Sequence, residues 1–292
     1  MFVYVVTSYT DPAQTERLVA RLRRDSPQSR LIVSHDKKMP PPDAAHLSAL
    51  GAELRLTNEP ITWGDATYLR SLLDVIEAAA LAPDDWITIL TGQDYPLRPL
   101  REYETHLATS AADMLLEEPD DDPRLPLFLA RYVSRSYRLP PWTDRHRIRQ
   151  VMKHIPGFSM SSSPRGLPPD LHRRRLRTPF DDDFRLYKGC DQFALSGRAA
   201  RVLARADPKL LRYYSHTRVP SESYPHTVLR NDPSLRNLAG MVHYAQWVDT
   251  PHPKWLTSED LDVMLQSGLW FARKFRPDEP LLDELDRLLD EG

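Results

Sequence analysis

The segment Trp86-Ile87-Thr88-Ile89-Leu90-Thr91-Gly92-Gln93-Asp94 sets the architecture of the chain. Apolar residues with few interruptions run straight into a polar, glycine-containing turn, the pattern of a buried strand ending at a loop. A strand buried on both faces requires covering helices, and the residues upstream contain them. Phe2 to Val6 is a second short apolar run, ending at Thr7-Ser8. Asp11-Pro12 then opens a helical stretch in which Leu18, Val19 and Leu22 recur at helical spacing.

Leu31-Ile32-Val33 makes another strand, ending at His35-Asp36, and beyond a proline-rich turn His46 to Leu50 reads as a short helix and Glu53 to Leu56 as a strand. Asp65 caps a helix that carries Leu69, Leu72, Leu73, Ile76 and Ala80 on one face. Leu97 to Leu107 is a further helix and Met114-Leu115-Leu116 a further strand. This βαβα rhythm implies an α/β fold with a mostly parallel central sheet flanked by helices. In such open sheets ligands bind beyond the carboxyl ends of the strands, so Thr7-Ser8, His35-Asp36 and Gln93-Asp94 are candidate positions.

Between 119 and 183 the periodicity weakens, and long loops, part of them mobile, are expected there. The stretch holds Asp120-Asp121-Asp122, an aromatic and basic run from Arg131-Tyr132 to Trp142, a low-complexity run from Ser159 to Pro169, and Arg173-Arg174-Arg175-Leu176-Arg177. Order returns with a strand over Gln192 to Leu195, helices from Arg198 and Pro208, and a helix beginning near Ser221-Glu222. A strand over Val242 to Trp247 and helices from Ser258 and Pro280 complete the chain, and there is no internal repeat.

The 292 residues, 41% hydrophobic and 27% charged, suit one large domain, divided as 1–118, a loop-rich 119–183 and 184–292. A formal charge of −2 argues against a general polyanion binder. Seven of the 39 basic residues are Lys, an arginine excess that codon bias explains better than phosphate binding does. The single cysteine, Cys190, rules out an intramolecular disulfide and a multi-cysteine zinc site. With no apolar run near the roughly 18 residues of a membrane span, a cytoplasmic protein is expected, contact with a membrane surface being left open. Nothing matches a P-loop, a GxGxxG fingerprint, a GxSxG elbow or an HExxH helix.

The triples Asp120 to Asp122 and Asp181 to Asp183 carry the hard oxygen ligands that Mg²⁺ or Mn²⁺ prefers, although solvated acidic loops look the same. The Arg173–Arg177 run lacks the interleaved aromatics of a nucleic-acid platform. Glu222, in Val219-Pro220-Ser221-Glu222-Ser223-Tyr224, stands at a helix start, where a carboxylate also serves the helix dipole. Arg273-Lys274 places two cations inside the aromatic segment Leu269-Trp270-Phe271-Ala272-Arg273-Lys274-Phe275, as an anion site or as snorkelling surface charges.

Taken in order, several segments resemble the core-2/I-branching N-acetylglucosaminyltransferase and peptide O-xylosyltransferase family. They are His35-Asp36-Lys37-Lys38, Thr62-Trp63-Gly64, Leu90 to Leu97, Gly189-Cys190 before Phe193-Ala194-Leu195-Ser196, Pro220-Ser221-Glu222, and Leu256 to Asp260 followed by Phe271 to Phe275. The resemblance covers roughly residues 2 to 276. It implies a GT-A-type fold with a Rossmann-like nucleotide-binding core, a UDP-sugar donor, inversion at the anomeric carbon, and no metal or other cofactor. By the same resemblance Glu222 is the catalytic base and Lys274 contacts the donor diphosphate. Asp36 and the end of the first strand near Val6 receive the uracil, while Trp63, Gln93 and Asp94 lie close to the donor.

His243 falls where the family carries a second basic residue, so Arg273 or Arg236 would have to compensate for an imidazole only partly charged near neutral pH. Tyr132, Tyr137 and Trp142 are candidates for stacking on acceptor sugars, or for packing. The expected activity is transfer of N-acetylglucosamine or xylose to a carbohydrate or peptide hydroxyl, with no nucleic-acid partner. The near absence of cysteine and of a membrane anchor suggests a bare catalytic domain. The alternatives are a metal-dependent transferase using an acidic triple, or a non-catalytic carbohydrate-binding relative.

Overall fold

The computed structural model describes residues 1–118, 125–138, 151, 156–161, 170–247 and 252–291. In chain order its strands are β1 (Phe2–Ser8), β2 (Arg30–His35), β3 (Ala52–Leu56), β4 (Trp86–Thr91), β5 (Asp94–Pro96), β6 (Met114–Leu116), β7 (Ser134–Arg138), β8 (Phe158–Ser161), β9 (Asp170–Arg174), β10 (Ala194–Ser196), β11 (Asn237–Ala239), β12 (His243–Ala245) and β13 (Phe271–Arg273). The helices of the first half are α1 (Pro12–Asp25), α2 (Ala44–Ala49), α3 (Ala66–Ala78), α4 (Leu100–Thr109) and α5 (Leu125–Ala130).

Seven strands form the main sheet in the order β11-β6-β10-β4-β1-β2-β3. Its centre is the predicted parallel core, with Val5 of β1 opposite Ile32 of β2 and Ile89 of β4. Six strands run one way and β10 runs against its neighbours β4 and β6. Successive strand side chains point to opposite faces, and here the alternation separates two cores. Tyr4, Val6, Leu31, Val33 and Leu90 pack with α1 and α4 residues such as Leu18, Leu22 and Tyr103. Val3, Val5, Ile32, Ile87 and Ile89 face Leu69, Leu72 and Ile76 of α3 and the helices Gly197–Ala204 and Tyr224–Arg230. Asp65 caps α3 as predicted, its side chain accepting from the Thr67 N–H.

Several expectations change. Asp94 belongs to β5 rather than to a loop, and β5 joins β13 and β12 in a second sheet. The strand expected over Gln192 to Leu195 shortens to β10, and the strand expected to reach Trp247 is the three-residue β12. The stretch expected as loops contains a third sheet, β7-β9-β8. Arg173 and Arg174 lie on β9 and Arg175 rests 3.7 Å from the Tyr213 ring centroid, so that basic run is largely strand and packing. No helix among the described residues is long and apolar enough to cross a membrane.

Candidate functional site

The carboxyl ends of β1, β2 and β4 emerge side by side. The Asp36 N–H donates to Ser8 O at 2.9 Å and the Gly92 N–H to Thr7 O at 2.9 Å, closing the seams between them. Asp36 is 1% exposed, and its Oδ1 accepts from the N–H groups of Ile61 (3.1 Å) and Lys38 (3.2 Å) while the Lys38 ammonium sits 3.3 Å from Oδ2. In this arrangement the carboxylate holds its own loop. Val6 lies inside the ladder, between Val33 and Leu90, with its side chain in the core. The end of β1 near Val6 is formed by Thr7 and Ser8.

Beyond β4 the chain turns into β5. Asp94 is fully buried, accepting from the Thr91 N–H and hydroxyl, each at 2.8 Å. In the antiparallel pairing of β5 with β13, Asp94 stands opposite Arg273, whose Nε is 3.6 Å from its carboxylate. Burial pushes the Asp94 carboxyl up, while Arg273 and the Thr91 hydrogen bonds oppose that shift. Gln93 is nearly buried, donating to Asp11 at 3.3 Å and accepting from the Phe275 N–H at 3.0 Å. Lys274 turns elsewhere, its ammonium 4.2 Å from the centre of the Trp255 ring that Arg276 also approaches, at 5.2 Å. Burial and those two arginines lower its pKa.

His243 is almost fully enclosed. Enclosure, reinforced by the nearby Arg273 charge, pushes its pKa down to about 3, so burial disfavours the charged imidazole there. Arg236 does not replace it. It precedes β11 and its backbone pairs with Asp113 at the start of β6, at the amino ends of the parallel strands.

Glu222 ends a 3-10 turn, Pro220–Glu222, that leads into the helix Tyr224–Arg230, and its side chain is 31% exposed, with Arg131 Nη1 at 3.6 Å. The segment from Tyr187 to Asp191 is sewn onto this turn. The Gly189 N–H donates to Glu222 O at 2.8 Å, Ser223 Oγ to Tyr187 O at 2.6 Å, and His226 Nε2 to Cys190 O at 2.9 Å. Glycine is required at 189, because a Cβ there would lie 2.0 Å from His226 Cε1.

That stitching delivers Asp191, whose Oδ1 is enclosed without a hydrogen-bond partner. Burial and then the Glu222 charge raise its pKa to about 7, against a Ser221 hydrogen bond and the charges of Arg273 and Lys188. Glu222 and Arg273 thus both lie within electrostatic reach of one carboxyl group. Tyr68 of α3 lies near Asp191, its hydroxyl 3.4 Å from Thr7 Oγ1 and its pKa raised by burial and by Asp191.

Asp191, Tyr68 and Arg131 escaped the sequence reading. A signal did exist for Asp191, a carboxylate set between the quoted landmarks Gly189-Cys190 and Phe193.

Trp63 is 44% exposed, with one ring face covered by the Arg218 guanidinium at 4.4 Å. Tyr132 is corrected as an acceptor platform. It is fully buried, packs against Tyr214 and donates to Val219 O at 3.3 Å, which leaves no open ring face. Trp142 and Asp120 to Asp122 lie outside the described residues. Asp181 accepts from the N–H groups of Asp183 and Phe184, tying its own turn. Among the described residues, no group of three or more His, Cys, Asp or Glu could hold a metal ion.

The sequence pattern of the family described as Core-2/I-Branching enzyme matches residues 2–266. The chain belongs to this family. As a core-2/I-branching family member it is 28% identical over 201 residues to beta-glucuronosyltransferase GlcAT14B of Arabidopsis thaliana, covering 65% of this chain and 45% of that relative. Beta-glucuronosyltransferase GlcAT14C of the same plant is 28% identical over 207 residues, covering 68% of this chain and 52% of its own length. Xylosyltransferase 2 of Canis lupus familiaris is 26% identical over 186 residues, 60% of this chain and 18% of that protein. The chain spans about half the length, or less, of these curated relatives. The family match stops short of Arg273 and Lys274.

Proposed function

We propose that this chain is an inverting glycosyltransferase that moves a sugar from a UDP-sugar to a carbohydrate or peptide hydroxyl without a metal ion. The observation that supports the reading is that Glu222 and Arg273, distant in sequence, both come within electrostatic reach of the Asp191 carboxyl, with Arg273 set against Asp94 at the carboxyl end of β4. In an inverting displacement the acceptor oxygen bonds to the anomeric carbon as the carbon–phosphate oxygen bond breaks, and the acceptor proton must go to a base on the face opposite the leaving group. Glu222, partly exposed and steadied by Arg131, takes that proton. UDP departs with an added negative charge, which fixed cations stabilise in place of a metal; Arg273 fills that role, and Lys274 adds its charge from its place over Trp255. The donor sugar is xylose or glucuronic acid, as the relatives' names suggest, or the N-acetylglucosamine of the family resemblance.

Glu222→Gln is expected to retain UDP binding by calorimetry while lowering kcat at least about a hundredfold, the usual lower bound for a general base. Turnover equal to wild type would end the assignment. EDTA should leave the wild-type rate unchanged; loss of activity restored by Mn²⁺ would favour a metal-dependent transferase. A donor panel scored by UDP release then identifies the sugar.

A further inference from the structure

Arg218 is a cation placed where a cation is costly. It is 7% exposed, and its only ion-pair partner among the described residues is Asp170 of β9, itself 2% exposed. Burial lowers the pKa of its guanidinium, and the charges of Arg138 and Arg131 lower it further against the pull of Asp170. Pairs buried this way generally add little net stability, because desolvation offsets the attraction. Such a side chain is better explained by what it holds in place.

It holds three things. Its guanidinium covers one face of Trp63 at 4.4 Å. It fills the space beside Gly64, where a Cβ would meet Arg218 Cζ at 2.6 Å and where the backbone φ of +81° already favours glycine. Through Asp170 it is tied to the small sheet, whose β7 also reaches the same loop, Arg138 donating to Asp65 at 3.0 Å and to Trp63 O at 3.2 Å. The next residue, Val219, has a left-handed φ of 48°, rare for a β-branched side chain. It is pinned from both sides, its N–H donating to Gly64 O at 2.8 Å and its O accepting from Tyr132 at 3.3 Å. The Glu222 N–H then donates to Val219 O at 3.3 Å.

We propose that Arg218 is a positioning residue: clamped by Asp170, it sets the Trp63-Gly64 loop and the Val219 bend, and through them the place at which Glu222 meets the acceptor hydroxyl. This rests on the transferase reading given above. Arg218 acts through Glu222 and Trp63 and takes no proton itself.

The test is Arg218→Lys, which keeps the charge facing Asp170 but removes the planar group that covers Trp63, with Gly64→Ala as an independent push on the same contact. Thermal unfolding gives the folded fraction of each protein. The expected result is a fall in kcat per folded molecule of at least about tenfold in both variants, with the UDP dissociation constant within about twofold of wild type, as misplacement of a reacting group predicts. Unchanged kcat per folded molecule in either soluble variant overturns the proposal, and so does a loss confined to UDP affinity. If Arg218→Lys fails to fold, Gly64→Ala decides alone. Wild-type protein that turns over no nucleotide sugar overturns the transferase reading and this proposal with it, whereas an active wild type beside an equally active variant overturns this proposal only.

Discussion

Arg273 and Lys274 are neighbours in the chain and part company in the fold, one beside Asp94 and the other above Trp255. If Lys274 reaches the donor diphosphate, Lys274→Ala removes one charge-assisted contact worth about 1.5–3 kcal/mol. UDP affinity measured by calorimetry should then fall roughly tenfold to a hundredfold, and unchanged affinity would place the phosphates elsewhere. Asp191 has the opposite signature. Its pKa, raised to about 7 by burial and by Glu222, means the native state keeps a proton that the unfolded chain has released above about pH 4. Stability from this group is full below about pH 4 and lost as pH rises through about 7. Asp191→Asn should therefore gain in melting temperature relative to wild type at pH 8 compared with pH 4. It should also lose the limb of the wild-type kcat profile near pH 7. No composition or spacing foretells such a proton, because it depends on Glu222, 31 positions along the chain, lying close by.

Strands and helices differ in how plainly they announce themselves. β4 and β1 were legible because runs of four and five apolar residues end at polar turns, and α3 because leucines recur on one face after a capping aspartate. Ile89 is fully buried in β4 with β1 on one side. Ile89→Ala should cost about 2–5 kcal/mol by transfer and cavity terms together, read as an earlier midpoint in urea unfolding. β5 and β13 were not legible, being three residues each, too short for any period to show. Antiparallel pairing between them, some 180 residues apart in sequence, is nevertheless what sets Asp94 against Arg273.

The assembled molecule titrates as a whole. Buried His226 and His243 are held neutral, their pKa values lowered by burial to about 4 and about 3. An unfolded histidine takes up its proton near pH 6.5, so the stability these two contribute is complete above that value and is lost as pH falls toward 3–4. The melting temperature should drop progressively below about pH 6.5, and His243→Gln should flatten part of that drop. At the far end of the chain the helix Pro280–Glu291 docks onto α1, with Leu281, Leu282 and Leu285 buried and Arg17 and Arg21 paired to Asp283, Asp286 and Asp290.

Local periodicity and ordered landmarks were enough to read an α/β sheet and the family, since each depends on residues close together in the chain. The enclosure of His243 and Tyr132, the raised pKa of Asp191 and the buried pairing of Arg218 with Asp170 came from long-range packing. They depend on desolvation and on charges from distant segments, and neither has a value until the chain has folded.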